Sequence, residues 1–326
     1  MPTDCSPAEH AARVAEILRA GDRFLVAAHA SPDGDAIGAS AGLVWLLTRM
    51  GKKAVLYNAS GVPDYLEWMP LPGRVYQHLG GLPFRPEMLL ALDCGDAWRL
   101  GNELSEALPR YPSVNIDHHL GNPCFGSLYN WVDPGMAAAG QMTALVADAA
   151  GISLEGELAA CVYVSIVSDT GSFTHGNTSA DVLLLASRLL RGGLDAAALR
   201  ARLDNQWTLP KTHFWGDMLR KVRLERSGQV GVCEISLADL AARSAVRSDA
   251  EGLVEQIRRI RGVRVALLAR EEAPGRTKIS LRSCGDDDVR AVAAQLGGGG
   301  HKNAAGATVD MPVPEAVETV LELVKL

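Results

Sequence analysis

The stretch Val114-Asn115-Ile116-Asp117-His118-His119 joins a short apolar run to one acid and two histidines. Short apolar runs of this kind predict buried strands or helices, and the polar residues stand where the run ends. Three further runs end in the same way, in His29-Ala30-Ser31-Pro32-Asp33-Gly34-Asp35, Asp93-Cys94-Gly95-Asp96 and Ser168-Asp169-Thr170-Gly171. Because ligands bind at the carboxyl ends of strands in open α/β sheets, we expect these four segments to meet at one edge of a sheet.

Strand-like and helix-like segments alternate through the first half of the chain. Apolar spacing predicts helices over 8–20, 37–50 and 140–150, and strands over 23–28, 53–57 and the runs before Asp93 and Asp117. The segment 158–167 is ambiguous by periodicity, and its length and Ala-rich start favour a helix. The alternation predicts an α/β domain with a mostly parallel sheet and helices on both faces.

The pattern of the chain changes in its second half. A helix over 181–190 stops at Arg191-Gly192-Gly193, and a helical connector over 194–223 is broken by Thr208-Leu209-Pro210. Short strands at 229–236, 263–270 and 278–283 then alternate with helices at 250–260, at 288–296 and after Pro312-Val313-Pro314. We therefore expect a first domain over 1–192, a helical linker over 193–214 and a smaller mixed α/β domain over 215–326.

Composition limits the classes of protein that this chain can belong to. Its 326 residues are 48% hydrophobic and 21% charged, as in a soluble globular protein with two domains. The net charge of -6 means that the surface as a whole does not attract nucleic acid. No apolar run reaches the roughly 20 residues that cross a bilayer, and the N-terminus lacks a signal-peptide pattern. The six cysteines form no CxxC pair, which predicts reduced thiols and a cytoplasmic protein.

The polar clusters contain the ligand types of a metal centre. Asp33 and Asp35 are two residues apart, so in an extended loop both carboxylates would point to the same side, within reach of His29. Carboxylates with imidazoles, and without paired thiolates, suit Mn²⁺ or Mg²⁺ better than structural Zn²⁺. Five or six such ligands are too many for one catalytic ion that keeps an open position. Two ions about 3.5–4 Å apart, bridged by one carboxylate, would use them all and would suit hydrolysis of a phosphate ester.

The same clusters carry a resemblance to a known family. The motifs HxxPDxD, LDCGDxxR, NIDHH and SDTGSF occur in this order and resemble the four motifs of the DHH phosphoesterase superfamily. Near the C-terminus, Gly297-Gly298-Gly299-Gly300-His301-Lys302-Asn303-Ala304-Ala305-Gly306 resembles the GGGGHxxAAG motif of the DHH-associated domain. The resemblance therefore covers nearly the whole chain and implies a metal-dependent phosphoesterase.

The resemblance implies a role for each residue of the metal centre. Two divalent ions are expected, with Mn²⁺ preferred and Mg²⁺ or Co²⁺ as alternatives. One ion would be held by His29, Asp33 and Asp93, and the other by Asp35, Asp93, His118 and Asp169. Asp93 would then bridge the ions and take part in catalysis. Asp117 would orient a histidine, and His119 would face the substrate phosphate or leaving oxygen, where we hypothesise that it acts as the general acid.

The second domain contains residues suited to a phosphorylated substrate. Alternation along Ile279-Ser280-Leu281-Arg282-Ser283 places Ser280 and Arg282 on one face, where an arginine can bind phosphate through two hydrogen bonds. Consecutive glycines let backbone N–H groups approach an anion, although a Gly-rich loop is a flexible connector about as often. The resemblance favours the first interpretation. The expected substrate contacts are Arg99, His119, Ser280, Arg282, Ser283, Gly299, Gly300 and His301.

Other basic residues receive no such role from the sequence. Arg258, Arg259 and Arg261 are better interpreted as a solvated helix face, and His175 matches no position of the motifs. His175 is near Asp169 in sequence, so a substrate contact and a loop position without a role both stay open.

The two-domain layout most resembles the nanoRNase and pAp phosphatase subgroup of the family. That resemblance implies hydrolysis of short 5′-phosphorylated oligoribonucleotides such as pApA, and dephosphorylation of adenosine 3′,5′-bisphosphate. A cyclic di-AMP phosphodiesterase is the nearest alternative. A manganese pyrophosphatase ranks lower because its C-terminal domain lacks the GGGGH pattern, and the complete ligand set argues against an inactive nucleotide sensor. The family likeness also suggests a homodimer, and base preference and cleavage polarity stay open.

Overall fold

The computed structural model describes residues 5–326, which divide into two compact units. The first unit extends to Gln206 and the second runs from Trp207 to Leu326. The division lies inside the segment 193–214, where we expect the linker from the sequence. Each unit has one six-stranded sheet of its own.

The first unit is built on a parallel sheet with the strand order β3-β2-β1-β4-β5-β6. The neighbours of β1 are β2 and β4, so the connections run outward in opposite directions from this point, where α/β sheets bind ligands. The strands are β1 (Arg23–Ala27), β2 (Lys53–Tyr57), β3 (Val75–Tyr76), β4 (Met88–Leu92), β5 (Ser113–Asp117) and β6 (Tyr129–Val132). The helices are α1 (Pro7–Ala20), α2 (Gly34–Arg49), α3 (Asn102–Ala107), α4 (Ala139–Ala150), α5 (Gly156–Asp169), α6 (Ala180–Arg191) and α7 (Ala196–Asp204).

Two apolar clusters cover the opposite faces of this sheet. Phe24 and Val26 of β1 belong to a large core with α1, α2, α4 and α5, while Leu25 and Ala27 face a smaller cluster with α3. Successive residues of a strand point to opposite faces, so the continuous apolar run of β1 fills both cores. This confirms the α/β fold class expected from the sequence.

The second unit has a mixed sheet with the order β11-β12-β10-β9-β8-β7, in which β8 and β9 are parallel and the other pairs are antiparallel. Helices α11 and α12 cover one face, and α8, α9 and α10 cover the other. The strands are β7 (Arg223–Glu225), β8 (Val230–Ile235), β9 (Val265–Ala273), β10 (Arg276–Ser283), β11 (Gly299–His301) and β12 (Ala304–Val309). The helices are α8 (Leu209–Lys221), α9 (Leu237–Ala242), α10 (Leu253–Arg258), α11 (Val289–Gln295) and α12 (Val313–Leu323).

The break expected at Thr208-Leu209-Pro210 lies at the junction between α7 and α8. The Thr208 side chain accepts the N–H of Lys211 and so caps α8, and Pro210 lies in the first turn, where proline is tolerated. One local expectation is wrong: Asp33 and Asp35 do not share an extended loop, because α2 starts at Gly34 and Asp33 is its N-cap. Within residues 5–326, no helix has both the length and the apolar character needed to cross a membrane.

Candidate metal centre

The loop after β1 brings His29 and Asp33 to the carboxyl end of the sheet. His29 is buried, and its Nδ1 lies 2.9 Å from the carbonyl oxygen of Ala30. Because a carbonyl only accepts hydrogen bonds, the neutral ring carries its proton on Nδ1 and leaves the Nε2 lone pair available to a metal ion. The Asp33 carboxylate accepts the N–H groups of Asp35 and Ala36, each at 3.0 Å, which fixes it at the start of α2.

Asp35 is the second residue of α2 and is completely buried against α4 and α5. Its Oδ2 accepts the N–H of Ala139 at 2.8 Å, and its Oδ1 accepts the hydroxyl of Ser165 at 2.5 Å. Ser165 in turn accepts the N–H of Gly140 at 2.9 Å. A Cβ at Gly140 would lie 2.0 Å from Ser165 Oγ, so only glycine lets the two helices approach this closely. The packing of three helices therefore fixes the Asp35 carboxylate.

His118 lies close to the remaining carboxylates of the centre. Its Nδ1 lies 3.3 Å from the carbonyl oxygen of Met136, which leaves Nε2 facing the acids as in His29. His118 Nε2 is 3.4 Å from Asp35 Oδ2 and 3.6 Å from Asp169 Oδ2. The ligand atoms of Asp35, His118 and Asp169 lie within 4.8 Å of one another, and so do those of His29, Asp33 and Asp93.

Asp93 connects the two groups through its two carboxylate oxygens. Its Oδ2 is 3.5 Å from His29 Nε2, whereas its Oδ1 is 3.4 Å from His118 Nε2. Asp93 directly follows β4 and has a left-handed backbone with φ of +49°, which is uncommon outside glycine. Its Oδ1 is buried and accepts no hydrogen bond from any described residue. A buried carboxylate oxygen without a donor is costly, and a bound cation would satisfy it.

The closely spaced carboxylates of the centre also favour the binding of cations. Burial, followed by repulsion from Asp35, raises the pKa of Asp169 to about 8. Burial lowers the pKa of His118, but the carboxylates of Asp35 and Asp93 outweigh it and raise this pKa to about 12. Carboxylates this close together ionise only when positive charge is supplied. The clustered donors, four carboxylates and three imidazoles, therefore fit divalent ions of the Mn²⁺ or Mg²⁺ type.

Asp117 and His119 form a second polar network beside the centre. His119 Nδ1 is 2.8 Å from Asp117 Oδ1 and 3.5 Å from Asp93 Oδ1. Asp117 is fully buried, and its Oδ2 accepts the amide of Asn122 at 2.6 Å. The same amide nitrogen is 2.7 Å from Asn115 Oδ1. Asn122 thus holds Asp117, and Asp117 holds the ring of His119. Sequence reasoning missed Asn122, because an asparagine in a loop has no distinctive spacing.

The loop after α5 supports Asp169, the last residue of that helix. The Asn177 amide donates to the Asp169 carbonyl at 3.2 Å and to the Ala137 carbonyl at 3.0 Å. His175 Nδ1 is 3.3 Å from the same Asp169 carbonyl, and a Cβ at Gly171 would lie 2.2 Å from the His175 ring. His175 therefore packs on the loop that carries Asp169. This contact was not assigned from the sequence.

Arg99, the expected phosphate contact of the first unit, lies on a 3-10 turn over Ala97–Leu100. Its side chain is half-buried, and its carbonyl oxygen accepts the N–H of Ala30 at 2.6 Å. Ala30 follows His29, so the turn is attached directly to the loop of the metal centre.

The expected substrate contacts of the second unit gather on neighbouring strands. The register places Arg282 of β10 opposite Ala304 of β12, which in turn lies opposite His301 of β11. In the same way Ser280 aligns with Gly306 and Gly299. Paired residues of a ladder share a face, so these rows lie side by side. A Cβ at Gly299 would meet no atom of the described residues within 4 Å, which leaves the face open there.

Two of these residues already have partners inside the second unit. Arg282 Nε donates to Glu255 Oε1 at 2.7 Å, and its Nη1 donates to the Leu281 carbonyl at 3.0 Å. Ser283 lies on the opposite, buried face, where its hydroxyl donates to the Asp287 carbonyl at 2.6 Å. Its hydroxyl oxygen also accepts the Asn303 amide at 2.9 Å. The structure therefore separates Ser283 from the face of Arg282.

Gly300 is required by the packing of β11 against β12. Its φ is +140°, and a Cβ there would lie 2.4 Å from the carbonyl oxygen of Ala304. The exposed His301 follows at the end of β11.

Comparison with known proteins bears on both units. The model of the N-terminal domain of the DHH family matches residues 23–166, and the model of the DHHA1 domain matches residues 238–326. The chain is 35% identical to the bifunctional oligoribonuclease and PAP phosphatase NrnA of Thermus thermophilus, over 96% of this chain and 92% of that protein. It is 24% identical to the cyclic-di-AMP phosphodiesterase GdpP of Geobacillus thermodenitrificans, over 97% of this chain but 49% of that protein.

A solved structure has the same fold over nearly its full length. The exopolyphosphatase-related protein from Bacteroides fragilis superposes with a TM-score of 0.90 at 25% identity, covering 99% of this chain and 97% of the other. The N-terminal family model spans six of the seven clustered residues, all but Asp169, and the Thermus relative matches almost from end to end. The chain therefore belongs to the DHH family of phosphoesterases.

Proposed function

We propose that the protein hydrolyses short 5′-phosphorylated oligoribonucleotides, such as pApA, to mononucleotides and removes the 3′-phosphate of adenosine 3′,5′-bisphosphate. The observation that carries the proposal is the position of Asp93, whose two oxygens face different groups of ligands. One shared carboxylate is the arrangement expected of a two-ion phosphoesterase. The name of the Thermus relative, which matches 96% of this chain, supports the choice of substrates.

Two divalent ions, with Mn²⁺ preferred, would be held by this centre. His29, Asp33 and Asp93 would hold one ion, and Asp35, Asp93, His118 and Asp169 would hold the other. Such ions withdraw charge from the phosphate oxygens and lower the pKa of water. The protein keeps its ligands ready by hydrogen bonds from the backbone to Asp33 and Asp35, and by carbonyl contacts to both histidines.

His119 is the proposed general acid for the leaving oxygen. Its Nδ1 contact with Asp117 fixes the orientation of the ring, and Nε2 is the atom proposed to deliver the proton. His119→Ala should lower turnover while both ions stay bound, as calorimetric titration with Mn²⁺ would show. Loss of an ion in this variant would make His119 a ligand and reject its assignment as an acid.

In the second unit, Arg282 and His301 are the proposed phosphate and nucleotide contacts. The Glu255 carboxylate holds Arg282 through Nε, so the outer edge of the guanidinium keeps its direction. Ser280, Gly299 and Gly300 would flank the ligand on neighbouring strands. For Ser283 we propose support of the 283–287 loop in place of substrate contact, because its hydroxyl is already engaged on the buried face.

A direct assay tests the proposal. Purified protein is incubated with Mn²⁺ and, in parallel, with pApA, adenosine 3′,5′-bisphosphate and cyclic di-AMP, and AMP is followed by chromatography. We expect rapid AMP release from the first two substrates and its loss on addition of EDTA. Preference for the cyclic substrate would favour the alternative activity suggested by the GdpP match, and inactivity on all three would contradict the proposal.

A further inference from the structure

The two most exposed large apolar side chains among residues 5–326 both belong to loops of the metal-centre edge. Leu120 is 70% exposed and directly follows His119, and Trp98 is 68% exposed and lies five residues after Asp93. The Trp98 ring makes no hydrogen bond or ring contact with the described residues. The loops follow β4 and β5, which are neighbours in the sheet. Two unpaired apolar groups at such a place suggest a ligand surface.

The loops that carry these side chains are held in place. The 3-10 turn with Trp98 receives the N–H of Ala30 on its Arg99 carbonyl at 2.6 Å, and Leu100 anchors its end in the core. A Cβ at Gly95 would lie 3.2 Å from His119 Cβ, so the loop of Trp98 touches the residue that precedes Leu120. An aromatic side chain on a rigid turn loses little conformational entropy when it binds a ligand.

The substrate classes of the proposed function have one large apolar part, the nucleobase. Bases stack on aromatic side chains with little dependence on sequence, since every base has a π-face. The phosphate and ribose are polar, and the proposed ions and arginine contacts would bind them. The indole of Trp98 offers an apolar face, which suits the nucleobase better than the phosphate or the ribose.

We propose that Trp98, with Leu120 on the neighbouring loop, is the stacking surface for the nucleobase of the nucleotide whose phosphate occupies the metal centre. The inference rests on the proposed function in that the ligand is a nucleotide. It adds a specificity-determining contact that accepts any base but discriminates against ligands that have none. Trp98 acts in binding and has no part in proton transfer.

Equilibrium binding of AMP and of ribose 5-phosphate, measured by calorimetry in the presence of Mn²⁺, tests this proposal without hydrolysis. We expect the wild-type protein to bind AMP about tenfold more tightly than ribose 5-phosphate, since stacking contributes this much per base. Trp98→Ala should remove most of that difference and leave ribose 5-phosphate unchanged, and Trp98→Phe should retain it. Leu184→Ala, which changes a side chain 67% exposed on α6, is the matched control and should bind as wild type.

Three outcomes would overturn the stacking surface. The first is equal affinity of the wild-type protein for both ligands, and the second is an equal loss for both in Trp98→Ala. The third is a change of sedimentation in Trp98→Ala with unchanged AMP affinity, which would make the patch a contact between copies of the chain. If Trp98→Ala loses affinity for AMP but not for ribose 5-phosphate, and the wild-type protein does not cleave pApA, the proposed function is rejected and the stacking surface is retained.

Discussion

At the scale of single residues, Asp93 has the position on which both groups of ligands depend. Asp93→Asn keeps the shape of the side chain but removes its negative charge and replaces one of its two carboxylate oxygens by an NH₂ group, which cannot bind a cation. We expect hydrolysis of pApA to be abolished and the affinity for both ions to fall, measured by Mn²⁺ titration calorimetry. Asp148→Asn changes an exposed carboxylate paired with Arg188 and should leave both quantities unchanged. Full turnover with two bound ions in Asp93→Asn would exclude the shared-carboxylate centre.

Asn122 should affect the reaction without contacting substrate. Asn122→Ala removes the amide that holds Asp117 and so frees the ring of His119. We expect a fall in kcat of about 10- to 100-fold, with KM and ion binding nearly unchanged. Steady-state kinetics and Mn²⁺ titration would measure this.

Asn130 provides the matched control for that variant. It bonds the backbone of Gly126 through both ends of its amide. Asn130→Ala should lower the free energy of unfolding by about 1–3 kcal/mol with little change in kcat. Equal kcat in the two variants would show that Asn122 has only a structural role.

The candidate ligands could be predicted from the sequence because each is an acid or histidine at the end of an apolar run. Their supports could not, because Asn122, Ser165 and Asn177 are ordinary loop and helix residues whose partners are distant in sequence. The paired geometry of Asp33 and Asp35 was predicted wrongly, since capping places one before α2 and the other inside it. Both family models confirm the resemblance to the family. The assignment of Asp33 and Asp35 to different ions, which that resemblance implies, stays a prediction.

At the scale of elements, the packing of α2 on α5 gives a sharp test through two glycines. A Cβ at Gly38 would lie 2.6 Å from the Cys161 carbonyl oxygen, whereas one at Gly42 would find ordinary contacts of 3.5 Å or more. We expect Gly38→Ala to lower the free energy of unfolding by about 1–3 kcal/mol through overpacking. Gly42→Ala should be neutral or stabilise by up to about 1 kcal/mol, because alanine favours a helix. Urea unfolding measures both, and equal effects would contradict this packing.

Long elements were easier to predict than short ones. Helix α5 was correctly favoured over a strand from its length, and its whole middle is buried. The strands β3 and β11 have two and three residues, too few to show a period. Strand β11 also contains two of the four glycines, so its sequence indicates a loop, and only pairing with β12 makes it a strand. The rows of Arg282 and His301 depend on that pairing and could not be found from the sequence.

At the scale of the whole molecule, the two units have separate apolar cores. The clustered metal ligands all lie in the first unit, so ions should stabilise that unit alone. At Mn²⁺ concentrations of 100 times Kd, we expect about 2.7 kcal/mol of added stability per bound ion in the first unit's unfolding. Calorimetry with EDTA and with Mn²⁺ should show one transition that moves and one that does not.

A core variant assigns the transitions. Leu267 is fully buried in the second unit, and Leu267→Ala should lower its stability by about 2–5 kcal/mol. The transition that moves with Leu267→Ala should be the one that Mn²⁺ leaves in place. A single transition sensitive to both changes would show that the units unfold together.

Every clustered ligand of the metal centre comes before residue 170 in the chain. A protein under synthesis generally folds its N-terminal domain first. The nascent chain would therefore complete its metal centre while the residues of the second sheet are still being translated. We expect that the first unit can already bind its ions at that stage, before the second unit is complete.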